Sequence, residues 1–425
     1  MGFSQALSGL NAASSKLDVL GNNIANSQTV GFKGSNTQFA DVFASSKVGL
    51  GTRVSAVLQN FNEGNIEATG RELDLAISGQ GFYRYEQSGE IVYARNGQLS
   101  LTPDGFLVNG QGARIMGYGL NAAGAVQTGG QPQVLNVPAD EMAASATTDV
   151  ATVINLDSRE VVGAELSQVE VNNLGGGTQT LDYHYSNNFT VFDSLGNPRN
   201  VTVYYEKTGS NTWDAKVVMD GSYNDTDTSG NGTNDNDFTV TFNQNGTLNQ
   251  ITDSGGAVVA DNDPQVTFNS ASMGGDPLDL VFNLDLAGST QFGNTSTTSS
   301  LTQNGYTSGA LVGITIENDG TIMRNYANEQ SRPAGQIALA FFRNPEGLQP
   351  NGDNAWTATA DSGQELVGAP GTGLLGSVES GAIETSNVDM AKQLVDMIVS
   401  QRAYQANSQT IKTQDEVLQT AINLR

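Results

Sequence analysis

The stretch Ala6-Leu7-Ser8-Gly9-Leu10-Asn11-Ala12-Ala13-Ser14-Ser15-Lys16-Leu17-Asp18-Val19-Leu20-Gly21-Asn22-Asn23-Ile24 places small or apolar residues at Ala6, Leu10, Ala13, Leu17, Leu20 and Ile24. Steps of four and three alternate along this series, the spacing of a heptad seam on one face of a helix. The opposite end of the chain repeats the pattern. There Met390, Leu394, Met397, Tyr404, Ile411, Leu418 and Ile422 fall on a similar seam, interrupted by Gln401, Ser408 and Asp415. Ser386 or Asn387 is expected to cap the second helix, with Asp389 favourably placed in its first turn.

Charge separates the first helix from an ordinary exposed one. Between Met1 and Val30 the charged side chains are Lys16 and Asp18 alone, whereas an exposed helix carries roughly a quarter to a third. The positions off the seam are mostly Ser, Asn, Gln, Ala and Gly. A helix of that composition is marginal alone in water and suits contact with other helices on several sides.

Between the ends the chain reads as β structure, in short alternating runs broken by Gly, Asn and Asp. Leu73–Ile77 leads through Gly79-Gln80-Gly81 into Phe82–Tyr85, and Pro103-Asp104-Gly105-Phe106 separates Leu99–Leu101 from Leu107-Val108. Val201–Tyr205 and Trp213–Val218 form a hairpin around Lys207–Asn211. The 50 glycines are accounted for as turn residues. At 425 residues two to four domains are expected. One junction is placed at Ala139–Thr148 and a second in the Ser/Thr-rich run Thr295–Thr302, with the segment between them inserted into the domain on either side. The fold class is therefore α+β, with helical ends whose heptad seams suit coiled-coil-like pairing and two mainly β domains, one inserted in the other.

Composition excludes several kinds of chemistry. A formal charge of -25 argues against nucleic acid and anionic membrane as partners. Cysteine is absent, which removes disulfides, thiolate metal sites and thiol nucleophiles. The single histidine, His184, reads as a strand residue, and Trp213 and Trp356 read as core anchors. The acidic loop offering Asp225, Asp227 and Ser229 at alternate positions, with Gly230 sixth, imitates the first half of a calcium loop. Its twelfth position is Asn236 where a bidentate acid is wanted, so a solvated turn is the plainer reading. No catalytic constellation emerges and no cofactor is expected. The N-terminus has neither a basic n-region nor a continuous apolar run, so no cleaved leader is expected.

With these features read, Asn22-Asn23-Ile24-Ala25-Asn26-Ser27-Gln28-Thr29-Val30-Gly31-Phe32-Lys33 resembles the N-terminal signature of flagellar rod and hook proteins. Ser386–Met390 and Gln401-Arg402-Ala403-Tyr404-Gln405-Ala406-Asn407 are similar to the matching C-terminal signature. Phe39–Phe43, Ala338–Leu348 and the insert containing Phe192-Asp193-Ser194-Leu195-Gly196-Asn197-Pro198 point to the hook branch. The resemblance implies an axial protein with terminal helices at 1–30 and 385–425, an extended linker at 31–70 and 360–384, a middle β domain at 71–145 and 300–359, and an outer one at 146–299. It implies homopolymerisation, export by the flagellar type III apparatus to the cell exterior, and contact with hook cap, distal rod and hook-filament junction proteins. The assembly residues expected are the seam positions together with Asn22, Asn23, Asn26, Gly31 and Phe32. A distal rod subunit and a secreted calcium-dependent carbohydrate-binding protein remain as alternatives.

Overall fold

The computed structural model describes residues 2–42, 49–173, 176–223 and 236–423, and the weak calcium candidates Asp225, Asp227 and Ser229 lie outside them. Helix α1, Gly2–Ala25, packs along α2, Met390–Asn423. Helix α2 begins later than expected because Asp389, placed by sequence in its first turn, is the cap itself. Its Oδ1 accepts the Lys392 N–H at 3.1 Å, satisfying one of the donors that a helix start leaves open.

Residues 31–70 correct the expectation of an extended linker. Strands β1, Ser35–Val42, and β2, Gly51–Gln59, pair antiparallel with a bulge between Gln38 and Phe39. This hairpin lies against α1, where Ser8 Oγ accepts the Thr52 N–H at 3.2 Å. Residues 360–384 are no linker either. Leu366–Gly368, Ser377–Ser380 and Ala382–Glu384 each pair with another strand. Alternation in both segments is short and partly polar, so it reads as open chain until its partners are known.

The structure divides into two compact units, one of residues 1–139, 312–325 and 331–425, the other of 140–311 and 326–330. In the first, the hairpin Phe82–Gln87/Glu90–Ala94 is central; Arg114–Tyr118 and Leu339–Phe341 pair with its first strand. Leu75, Ile77, Tyr83, Tyr85, Ile115 and Leu339 form its buried core. A second cluster sets Phe61 edge-on to Phe82 and Trp356, at 5.6 and 5.4 Å between centroids, an arrangement the ring quadrupoles favour. Trp356 Nε1 donates to Gln59 Oε1 at 2.6 Å, so the chain leaving β2 is docked on this unit by both rings and amide.

In the second unit Pro198–Gly209 and Thr212–Met219 form the expected hairpin, in the register Val203↔Val217 and Tyr205↔Ala215. A second sheet is built on Asp149–Asp157, which pairs in parallel with Leu280–Asp285. Alternate residues of both sheets, among them Val203, Tyr205, Trp213, Ile154, Leu156 and Phe282, share one core, the period-2 signature of a sandwich. The Ser/Thr-rich run placed at a junction is instead strand Thr297–Gln303, antiparallel to Asp149–Asp157. Its exposed hydroxyl residues resemble a linker in composition, but the β-branched threonines suit an edge strand.

His184 sits at a bend between strands. Its Nδ1 accepts the Lys207 N–H at 3.1 Å, which leaves Nε2–H to donate to Val161 O at 3.2 Å. With both ring nitrogens engaged, it serves as a strut. Phe282→Ala is expected to destabilise the second unit by about 3–5 kcal/mol, read as a lowered denaturant midpoint in chemical unfolding of the full chain.

Candidate functional site

The segment between Asn22 and Lys33 is a joint, and most of its polar residues make defined hydrogen bonds. Asn23 is almost wholly buried. Its Oδ1 accepts the Ser35 N–H at 2.9 Å and its Nδ2 donates to Ser35 O at 2.8 Å, so the side chain pairs with β1 as a neighbouring strand would. The same Nδ2 reaches Gln393 Oε1 on α2 at 3.2 Å. Asn26 donates from its side chain to Asn22 O at 3.0 Å and to Asn22 Oδ1 at 2.7 Å, reinforcing the backbone bond that its own N–H makes to Asn22 O at 3.1 Å at the end of α1. Gly31 then turns the chain with φ of 69°, and a Cβ there would lie 2.7 Å from Asn96 N. No other residue type suits that position. Phe32, next to it, is half-buried.

Beyond Gly31 lies the feature that sequence reading missed. Lys33 Nζ stands 2.7 Å from Glu384 Oε1, and Arg95 Nε stands 2.7 Å from Glu384 Oε2. The Lys33 and Glu384 side chains are fully enclosed and that of Arg95 nearly so. Glu384 Oε1 also accepts the Gly64 N–H at 2.8 Å, and Lys33 donates to Asn62 O at 2.7 Å. Arg95 uses its remaining donors on Gly79 O, Gly81 O and Ile77 O. Asn387 works beside the triad instead of capping α2. Its Oδ1 accepts the Gly34 N–H at 2.9 Å and its Nδ2 donates to Asn60 O and Asn62 O. One signal was in plain view, since Lys33 is the sole charged residue between Asp18 and Asp41. Nothing in the sequence pairs it with a carboxylate 351 positions away.

Burial acts oppositely on the two partners. It pushes the Lys33 ammonium below its ordinary value; Glu384 pulls the other way but Arg95 repels. Burial pushes the Glu384 carboxyl up, but the Arg95 hydrogen bond, the charges of Arg95 and Lys33, and the Gly64 N–H outweigh it, so the carboxyl titrates below the usual range. Two cations share one anion, and the anion gains.

The seam residues divide. Leu20 is buried on α1, with Leu10, Leu17 and Ile24 half-buried. On α2, Met397 and Ile411 are half-buried, whereas Met390, Leu394, Tyr404 and Leu418 are exposed; the side chain of Ile422 lies outside the described residues. The face of α2 that loses exposure recurs at Gln393, Met397, Ser400, Asn407, Ile411 and Gln414, a largely polar line. Gly9 sits over Asn407, where a Cβ would come within 2.8 Å of the amide nitrogen. Outward from it runs a stripe of Leu394, Val395, Ile398 and Val399, with Val395 60 % and Ile398 52 % exposed. Apolar surface left in water along a helix marks an interaction face. Among the described residues no helix is long and apolar enough to cross a membrane.

Comparison with known proteins accounts for this joint-and-helix arrangement. Residues 4–33 match the family described as flagella basal body rod protein and 379–424 the flagellar basal body rod FlgEFG protein C-terminal family. Residues 76–175 match the flagellar hook protein FlgE/F/G D1 domain and 155–306 the flagellar basal body protein FlaE D2 domain. Flagellar hook protein FlgE of Escherichia coli K12 is 43% identical over 429 residues, covering 100% of both chains. The chain belongs to the flagellar hook protein family. The hook protein of Salmonella typhimurium LT2 is also 43% identical, over 427 residues and 100% of both chains. That of Borreliella burgdorferi is 32% identical over 99% of this chain and 98% of its own. Among solved structures, Helicobacter pylori flagellar hook protein FlgE2 matches with a TM-score of 0.52 at 14% identity, over 75% of this chain and 100% of that one. At that identity the likeness is one of fold, terminal helices with β-rich domains. As a hook subunit the chain is a structural protein of the flagellum, and its joint lies where the rod-type ends meet the D1 match.

Glu384→Gln leaves Lys33 and Arg95 enclosed without their carboxylate, and a loss of about 3–5 kcal/mol in unfolding free energy is expected. The pH dependence follows from the lowered carboxyl. Its contribution is complete above the unfolded value of ~4.3 and is lost as pH falls through the lower folded value. Acid titration of the unfolding free energy should therefore show a drop below about pH 4.3 that is smaller in Glu384→Gln, where the part due to Asp157 and Asp193 remains.

Proposed function

We propose that copies of this hook subunit join chiefly through α2, whose outward stripe Leu394, Val395, Ile398 and Val399 seeks cover that α1 does not give. That unpartnered stripe, set opposite a polar inner seam, is the observation that carries the reading. Burying an apolar side chain of this size contributes about 1.5–3 kcal/mol, and a repeated contact multiplies it along the polymer. Contacts of the heterologous kind, which do not close, generate a tube. The helices then form its inner layer in coiled-coil fashion. The segment expected at 71–145 and 300–359 supplies the middle layer of the tube and that expected at 146–299 the outer one.

In this reading the assembly residues are the exposed Met390, Leu394, Tyr404 and Leu418, reached by neighbours, while Leu10, Leu17, Leu20, Ile24, Met397 and Ile411 serve the α1–α2 contact. Asn22, Asn23, Asn26, Gly31 and Phe32 hold the joint. Packed helices resist twisting and carry torque, and the polar outer faces of the β units slide as the tube bends. The subunit travels through the flagellar type III export apparatus, assembles outside the cell under a hook cap, and meets distal rod and junction proteins at the two ends of the tube. No catalytic step or cofactor enters the mechanism.

Two outcomes test it. Val395→Glu/Ile398→Glu should abolish tube formation, seen by electron microscopy, with the unfolding midpoint of the free chain unchanged; tubes of ordinary yield would dispose of the α2 interface. Because α1 and α2 lack full cover in a single copy, helical circular dichroism should rise on polymerisation, and equal signal before and after would count against folding coupled to assembly.

A further inference from the structure

We infer that Lys33 is a positioning residue that fixes the direction in which the terminal helices leave the β structure of unit 1, and so the lattice of the tube, instead of stabilising the free chain. The inference rests on the hook reading.

The charge balance of the triad is the starting point. Lys33 and Arg95 face the single buried anion Glu384, with the exposed Glu63 acting on Lys33 only through a weaker charge interaction, so one buried cation is in excess. The Arg95–Glu384 pair is already complete, because the guanidinium holds Glu384 Oε2 and the carbonyls of Ile77, Gly79 and Gly81. Removing Lys33 would leave a neutral, satisfied pair. An apolar side chain of similar length would occupy the space with no ammonium taken from water, and because Arg95 still pairs with Glu384, the penalty for an uncompensated buried charge does not arise. The depressed titration of Lys33 points the same way.

What Lys33 does supply is direction. Its ammonium donates to Asn62 O, three residues beyond β2, and to Glu384, five residues before the Asp389 cap of α2. Lys33 itself follows two residues after Gly31, whose N–H donates to Glu384 O at 2.7 Å. One nitrogen thus binds the exit of α1, the exit of the hairpin and the approach to α2. Methylenes can pack in several arrangements, but these two short hydrogen bonds select one. Buried ionic groups kept at a cost in stability are best attested in just this role of setting register.

The test is Lys33→Met in a motile bacterium lacking its own hook gene, compared with the unaltered chain. Purified chains are melted, and isolated hooks are reconstructed by electron cryomicroscopy for helical rise, twist and diameter. Lys33→Met is expected to melt at or above the unaltered temperature, while its hooks fall severalfold in number and show a shifted twist or a spread of diameters. Native rise, twist and yield would overturn the inference. So would a melting temperature lowered by more than about 5 °C, which would place Lys33 among the stabilisers. If the unaltered chain gave no tubes, the hook reading would fail and take the inference with it; native tubes from both chains would remove the inference alone.

Discussion

A carboxylate with no access to water organises unit 1. Glu384 cannot be buried as an isolated anion, so the fold must bring cations to it, and it draws them from distant parts of the chain. Lys33 comes from the end of the N-terminal segment and Arg95 from the strand region of the β structure. Once these three meet, the path of the chain on either side is largely decided. Gly31 must turn with positive φ against Asn96, Gly64 must present its N–H, and Asn387 must bridge Gly34 to the carbonyls of Asn60 and Asn62. The amides of Asn23 and Asn387 extend the joint by pairing with backbone, a rigid contact that apolar residues do not make.

On the proposed reading of α2, stability and assembly are thereby separated in space. The two β units hold their own cores, built from alternating strand positions and anchored by Trp356 in one and Trp213 in the other. Helix α2 covers a largely polar line and keeps an apolar stripe outward, whereas α1 encloses Leu20. The second helix of a soluble hairpin would do the reverse of α2, hiding its leucines in the seam and turning glutamines to water. This inversion is what a chain needs when its ends are to be completed by neighbours.

Much of the architecture was legible in the residues. Hairpins announced themselves through Gly, Asn and Asp between alternating runs, as at Ser210-Asn211, where Asn211 takes the positive φ. The scarcity of charge before Val30 marked the first helix as one meant for contact. One junction was placed at Ala139–Thr148, where the first compact unit ends at residue 139, whereas the strand Thr297–Gln303 was mistaken for a junction because serine and threonine serve both. The hairpin β1–β2 escaped notice since its burial is half-hearted and comes from α1, not from its own pattern. Heptad spacing on α2 gave the helix but only part of its covered face, which takes in Met397 and Ile411 but not Met390, Leu394, Tyr404 or Leu418, because periodicity reports which residues share a side, not which side meets which partner. The triad was beyond reach, since local sequence carries no record of a contact closed across the whole chain.

The fit of Asn407 over Gly9 carries a consequence for the pair of helices as a mechanical part. A greasy seam allows one rod to creep along another, trading equivalent contacts turn by turn. Here the gap left by a missing side chain accepts a single amide, and a shift of one turn would bring that amide against bulkier neighbours. The pair is thus keyed like a shaft in its slot, free to be loaded along its length without losing its place.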